Sequence, residues 1–247
     1  MNSTLRSELL KQRTTRTTTS TVAAMVGVVV LAIVLHALGL PAKNITQRTD
    51  QIGVFTDVGE NIGALFAALL GAIAIANEIR HGTIRPTLLA TPQRGRVLFA
   101  KTVIVAVTGL AIGALATALA AGAGTLFMYF RDITINVHAG DYVVLIAGGA
   151  AAAAFWAVIG LGIGAVVRNQ VPAIVGMFVW VLFVENLLDG GFPAVGKFAP
   201  AALGRATAGA IGHGTLHAPA VALVLLATYA AVALAAGWFA TTHRDVA

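Results

Sequence analysis

Apolar residues in this chain run in long unbroken blocks rather than alternating or falling on one stripe. Residues 21–40 form the first block, without a charge. Residues 54–76 form the second, with Asp57 and Glu60 near its start and no charge from Asn61 onward. Residues 102–130 and 142–167 follow, then 171–188, charged only at Glu185, and 218–242. A helix that crosses a bilayer needs about 20 mostly apolar residues. The pattern therefore predicts six spans in one domain covering residues 1–247. The first block is long, weakly flanked and lacks a cleavage site before Pro41, so it is read as a helix and not as a cleaved leader.

Composition sharpens that picture. The chain is 58% hydrophobic and 11% charged, against about 45–50% and about 25% in soluble domains. The mean hydropathy is +0.87. Disorder and a soluble globular fold are both excluded. The net charge of +6 comes from 16 Lys and Arg against 10 Asp and Glu. Eleven of those cations fall in the N-terminal segment, between blocks two and three, at Arg168 and at Arg244. The other five are Lys43, Arg48, Arg131, Lys197 and Arg205, largely offset by nearby Asp residues. Short loops rich in Lys and Arg stay in the cytoplasm, so both termini are expected there. The basic balance then marks topology and contact with anionic membrane lipids, and no nucleic-acid partner is expected. Richness in Ala, Gly and Val is that of a GC-rich bacterial genome, which sets the expectation of a bacterial cell membrane.

Three segments outside the blocks carry information. In residues 4–16, Leu5, Leu9 and Leu10 share one helical face with Arg6, Arg13 and Arg16 off it, as in an interfacial helix lying flat before the first span. Residues 77–101 are too long for a minimal connection and carry five cations and Glu78. Gly82 breaks the preceding helix, Thr83 can cap a short one, Pro86 suits its first turn, and Pro92 and Gly95 end it. Apolar Ile84, Leu88 and Leu89 would then sit on a surface helix suited to docking a partner. Residues 189–218 are rich in Gly and Pro yet mostly apolar. Broken stretches of that kind can enter the membrane as short re-entrant helices where protein buries them. A solvated loop is the alternative.

Chemistry-bearing motifs are few. Cysteine is absent, and serine occurs only at Ser3, Ser7 and Ser20, which removes disulfides, thiolate metal sites and an intramembrane serine nucleophile. Residues 95–102 are one position short of a phosphate-binding loop, with Ala100 where the second Gly belongs, and they lie between a surface segment and a span instead of between strand and helix. His213 and His217 have the spacing of a metal pair but no third ligand. No catalytic or metal-ligating residue is expected. The polar residues inside the blocks, Asp57, Glu60, Asn61, Glu185 and Asn186, are the candidates for a path or gate. Their position near the outer ends also fits simple contact with headgroups. Glycines crowd blocks three and four, as close helix packing requires.

The segment from Glu78 and Arg80 through Gly82, Thr83, Leu88, Leu89 and Pro92 to Arg94 resembles the cytoplasmic pattern E-R-x-G-T-x-x-x-L-L-x-x-P-x-x-R of ABC-2-type ABC transporter permeases, approximately so around Arg80 and His81. With the basic N-terminal helix and six blocks, the resemblance covers nearly the whole chain. It implies an all-α membrane protein: an N-terminal amphipathic elbow helix, six transmembrane helices, a cytoplasmic coupling helix, and re-entrant outer helices before the last span. It also implies coupling through Glu78, Arg80, Gly82, Thr83, Ile84, Arg85, Leu88, Leu89 and Pro92 to two ATP-binding subunits. A second permease copy or a homologous permease would complete an export path. ATP and magnesium would reside in the partner subunits, with no cofactor in this chain. A secondary transporter and a membrane scaffold are the other classes open at this point.

The topology is testable because the chain has no cysteine. A single cysteine at Asp132 or Lys197 should react with an impermeant thiol reagent on intact cells, and one at Arg94 should not. Outside labelling at Arg94 would overturn the orientation.

Overall fold

The computed structural model describes residues 2–39, 41, 45–80, 94–210 and 216–243. Among these the chain is all helical, with no strand. Helix α1 is Asn2–Thr14 and α2 is Arg16–Gly39. Span two is composite: α3 (Arg48–Phe55), a π-helical turn (Thr56–Glu60) and α4 (Asn61–Arg80). Helix α5 is Arg94–Phe130 and α6 is Ala139–Val167. Span five repeats the composite plan with α7 (Gln170–Val179), a π-helical turn (Trp180–Val184) and α8 (Glu185–Gly191). Two short helices, α9 (Pro193–Gly196) and α10 (Pro200–Thr207), precede α11 (Pro219–His243). Six helical segments are long and apolar enough to cross a membrane: Arg16–Gly39, Arg48–Arg80, Gly95–Phe130, Ala139–Val167, Gln170–Gly191 and Pro219–Thr241.

The helices outrun the apolar blocks that announce them, for local reasons. Span two begins at Arg48 and not at 54, because Asp50 accepts the Gln47 amide at 3.2 Å and caps the start. Gln51, fully buried in the next turn, donates to the Ile45 and Thr134 carbonyls and accepts the Asn136 amide. Asp141 likewise caps α6 by accepting the His138 amide at 2.9 Å. Arg48 then binds Asp141, joining the starts of spans two and four. Only Arg168, in a left-handed conformation, and Asn169, which caps α7 by accepting the Val171 amide, separate spans four and five. Helix α5 continues through the charged stretch before residue 102 with no break.

Spans two and four form the centre. Each buries 61% of its most apolar window, against 17% in spans one and five. Their backbones approach directly: a Cβ on Gly71 would overlap the Ala157 carbonyl, and one on Gly160 the Ala68 carbonyl. Gly113 on α5 meets α6 at the Gly149 carbonyl in the same way. In lipid there is no apolar-burial gain for helix association, so close van der Waals contact through small residues has to supply it.

The end of the bundle that holds the N-terminus is the near end, and the other is the far end. The segment 189–218 is not a simple loop: residues 193–207 form α9 and α10. Every residue of α10 except Arg205 is buried, and Gly148 of α6 leaves room for its last carbonyl, Thr207. Gly209, at φ +86°, then turns the chain away.

Overpacking of a tight contact costs about 1–3 kcal/mol or more. Gly160→Ala should therefore lower the melting temperature of the purified protein in detergent and reduce its folded yield. Gly122→Ala, with nothing within 4 Å of the added carbon, should be neutral or mildly stabilising. Equal melting of the two variants would contradict the backbone contact.

Candidate functional site

Two polar clusters stand out, one at each end. At the far end, spans two and five each interrupt their α-helix with a π-turn, a feature often found at functional sites. The first turn ends at Glu60 and the second stops just before Glu185, so each delivers a carboxylate toward α10. Asn186 satisfies carbonyls of the second turn, donating to Leu182 at 2.9 Å. Glu185, 6% exposed, accepts from the Trp180 indole and from the Ala201 amide, both at 2.7 Å. The second contact sets a carboxylate on the first turn of α10, where unpaired amides and the helix dipole favour negative charge.

Glu60 is 1% exposed. Its carboxyl group lies against Gly204, where any Cβ would collide with it. Neither of its oxygens has a hydrogen-bond partner among the described residues. Arg205, next along α10, reaches Asp57 at 3.4 Å and Asp189 at 3.0 Å. A cavity of about 500 Å³ opens between these elements. Its polar lining is Asp57, Asn61, Glu185, Asn186, Asp189 and Arg205, and Ile62, Leu65, Val181 and Leu182 supply apolar walls.

Of the five polar residues picked out for a path or gate, the structure therefore gathers Asp57, Asn61, Glu185 and Asn186 around one cavity and buries Glu60 beside it. Contact of Glu60 with headgroups is overturned. Span two starts six residues earlier than the apolar block, and the carboxyl is enclosed by α10. Sequence reading missed Asp189 and Arg205. Glu185 and Asp189, four apart on one helix, carried a signal for the first.

The near-end cluster joins α1 to spans two and three. Lys101, 5% exposed, holds Glu8 at 2.6 Å and Glu78 at 3.0 Å. Lys11 holds the same two carboxylates at 2.7 and 2.9 Å. Two cations and two anions thus close a neutral ring. Further along α5, Thr108 bonds Gln12. Lys101 and Thr108 are about 10 Å apart along the helix at 1.5 Å per residue, so α1 lies along α5 rather than flat across its end. Glu8, not a leucine, is the α1 residue turned inward: Leu9 and Leu10 are exposed and Leu5 is half-buried. The near-phosphate-loop stretch 95–102 is helical throughout, and its lysine is the one engaged in the ring.

Glu78 and Arg80 end α4, with Glu78 in the ring and Arg80 exposed. The rest of the expected coupling set, Gly82, Thr83, Ile84, Arg85, Leu88, Leu89 and Pro92, lies outside the described residues, as does His213. Among the described residues no group of three or more His, Asp or Glu side chains is placed to hold a metal ion. No protein-family model and no curated protein matches the chain.

Burial pushes the Glu8 carboxyl up, but the Lys101 and Lys11 ammonium groups outweigh it and hold the pKa below the ordinary 4.5. Burial lowers Lys11, but its hydrogen bonds to Glu8 and Glu78 outweigh that and raise it above 10.5. A lowered carboxylate contributes stability above its unfolded pKa and loses it as the pH falls through the folded one. A raised lysine contributes below 10.5 and loses its share as the pH climbs past the folded value. Melting followed downward through pH 4.5 should show a smaller acid-side loss in Glu8→Gln than in the native chain. Lys101→Met should lower stability by less than the about 3–5 kcal/mol of a buried charge left wholly unpaired, because Lys11 still bridges Glu8 and Glu78. Matching acid limbs for Glu8→Gln and the native chain would rule out the ring as described.

Proposed function

We propose that the chain is the membrane-spanning permease subunit of an ATP-driven exporter of the ABC-2 type, with both termini in the cytoplasm of a bacterial cell. Two separate ATP-binding subunits hydrolyse the nucleotide, and a second permease completes the path. The observation that carries this reading is the charge ring. It ties together the two helix ends that frame residues 81–93, through Glu78 on one side and Lys101 on the other, and fastens α1 to both. A loop that transmits motion from a soluble ATPase needs such anchored ends, since a slack loop would absorb the displacement. In this reading α9 and α10 correspond to the family's re-entrant helices and α1 to its elbow helix, although α1 lies along α5 instead of flat; the coupling segment 82–92 lies outside the described residues.

A proton- or ion-coupled secondary transporter is the second reading, and the buried, unpartnered Glu60 favours it. That class places its coupling groups near the bilayer midplane. The neutral charge ring around the ends that frame residues 81–93 has no counterpart in that requirement and favours the first reading.

The permease reading predicts that the tagged chain, purified from native membranes, brings an ATP-hydrolysing subunit with it. The isolated chain should neither bind nor hydrolyse ATP. Leu89→Asp should lower recovery of the ATPase at least about fivefold, since truncating a central interface anchor costs more than about 1 kcal/mol. Arg94→Ala should produce only a salt-sensitive loss. Unchanged recovery and ATPase rate in Leu89→Asp would remove the coupling role of this loop.

A further inference from the structure

The far-end cavity has an unbalanced lining. The half-exposed carboxylates of Asp57 and Asp189 face it against Arg205 alone, with the buried carboxyl groups of Glu185 and Glu60 in and behind its wall. The near-end ring, by contrast, is neutral. Asp57 and Asp189 remain half exposed while sharing the one guanidinium. Four buried polar atoms here have no hydrogen-bond partner among the described residues: both Glu60 oxygens, Asn61 Oδ1 and Arg205 Nε. Three of the four are acceptors. A cleft with excess negative charge and low-dielectric walls concentrates cations, and about 500 Å³ lies within the range of small-molecule sites. The acids do not converge as metal ligands do. Ile62, Leu65, Val181 and Leu182 offer an apolar surface that a hydrated inorganic ion would not use.

We propose that this cavity binds an organic cation of drug size. Its positive centre sits between Asp57 and Asp189 and its apolar body lies against Ile62, Leu65, Val181 and Leu182. Arg205 is the resident counter-ion with which the ligand competes for the two aspartates. That the cation is transported rests on the permease reading; that it binds does not.

The probes are tetraphenylphosphonium and tetraphenylborate, two ions of one shape and opposite charge, titrated calorimetrically into the purified full-length chain in detergent. The phosphonium should bind saturably and the borate should not. Asp57→Asn and Asp189→Asn, both at half-exposed positions, should each weaken phosphonium binding about tenfold while eluting as the native protein does. Arg205→Gln should tighten it about threefold by removing the competitor. A purely structural cluster would make all three changes act in the same direction, which would overturn the proposal. Equal affinity for the borate, or unaltered phosphonium affinity in both aspartate variants, would overturn it too. No ATPase subunit takes part in this assay. Absent cation binding in a chain that still recovers an ATPase subunit from native membranes therefore sinks this inference alone, and cation binding in a chain that recovers no such subunit sinks the permease reading alone.

Discussion

Spans two and four touch backbone to backbone, with Gly71 under the Ala157 carbonyl and Gly160 under that of Ala68. This contact leaves no room for side chains and therefore none for adjustment: each helix fixes the depth and rotation of the other. The remaining elements inherit their places from the pair. Helix α5 packs on α6 through Gly109 and Gly113, α11 packs on it through Gly162, and α10 rests its last carbonyl on Gly148. A bundle assembled in lipid depends on such fits, because the solvent around it is as apolar as its core.

With the central helix contacts given over to small residues, the polar side chains gather in two clusters, and the two treat charge differently. At the near end two lysines and two glutamates satisfy one another. A ring of that kind, buried at Glu8 and Lys101 and open to solvent at Lys11, is costly to open on its buried side. At the far end Glu60 is enclosed without a hydrogen bond to any described residue, and Arg205 is divided between two aspartates. Low dielectric makes each unpaired polar group there costly.

The six helices were legible because an apolar block of membrane length has few other uses. Their ends were not, because polar residues hide them. Asp50 and Gln51 look like loop until the cap and the bonds to Ile45 and Thr134 are seen, and the stretch from Arg94 to Lys101 looks like loop because it is charged. The far-end site was legible as residue types: Asp57, Asn61, Glu185 and Asn186 stood out against their surroundings. Their convergence was not, since it rests on two π-turns that no periodicity announces and on α10 folding back into the bundle. At the near end the leucines of α1 drew the reading. Glu8 was passed over, although a carboxylate between Leu5 and Leu9 on an apolar face is itself a sign of a buried partner.

Span two runs between the two clusters and belongs to both. Glu78 sits in the near-end ring, and Asp57 and Glu60 sit at the far-end cavity, about 27 Å from Glu78 along the helix at 1.5 Å per residue from residue 60 to 78. The intervening stretch from Gly63 to Ala72 is buried without interruption and is held to α6 by the backbone contacts at Gly71 and Gly160. A helix so confined moves as a rod, and the one place where its hydrogen bonding departs from the α pattern is the π-turn beside the cavity. Displacement applied at Glu78 therefore has no soft point at which to dissipate before Thr56–Glu60. In the permease reading this makes span two the link between a docked ATPase and the cavity. The neutral ring holds its Glu78 end, and the far-end acids sit where its regular structure gives way.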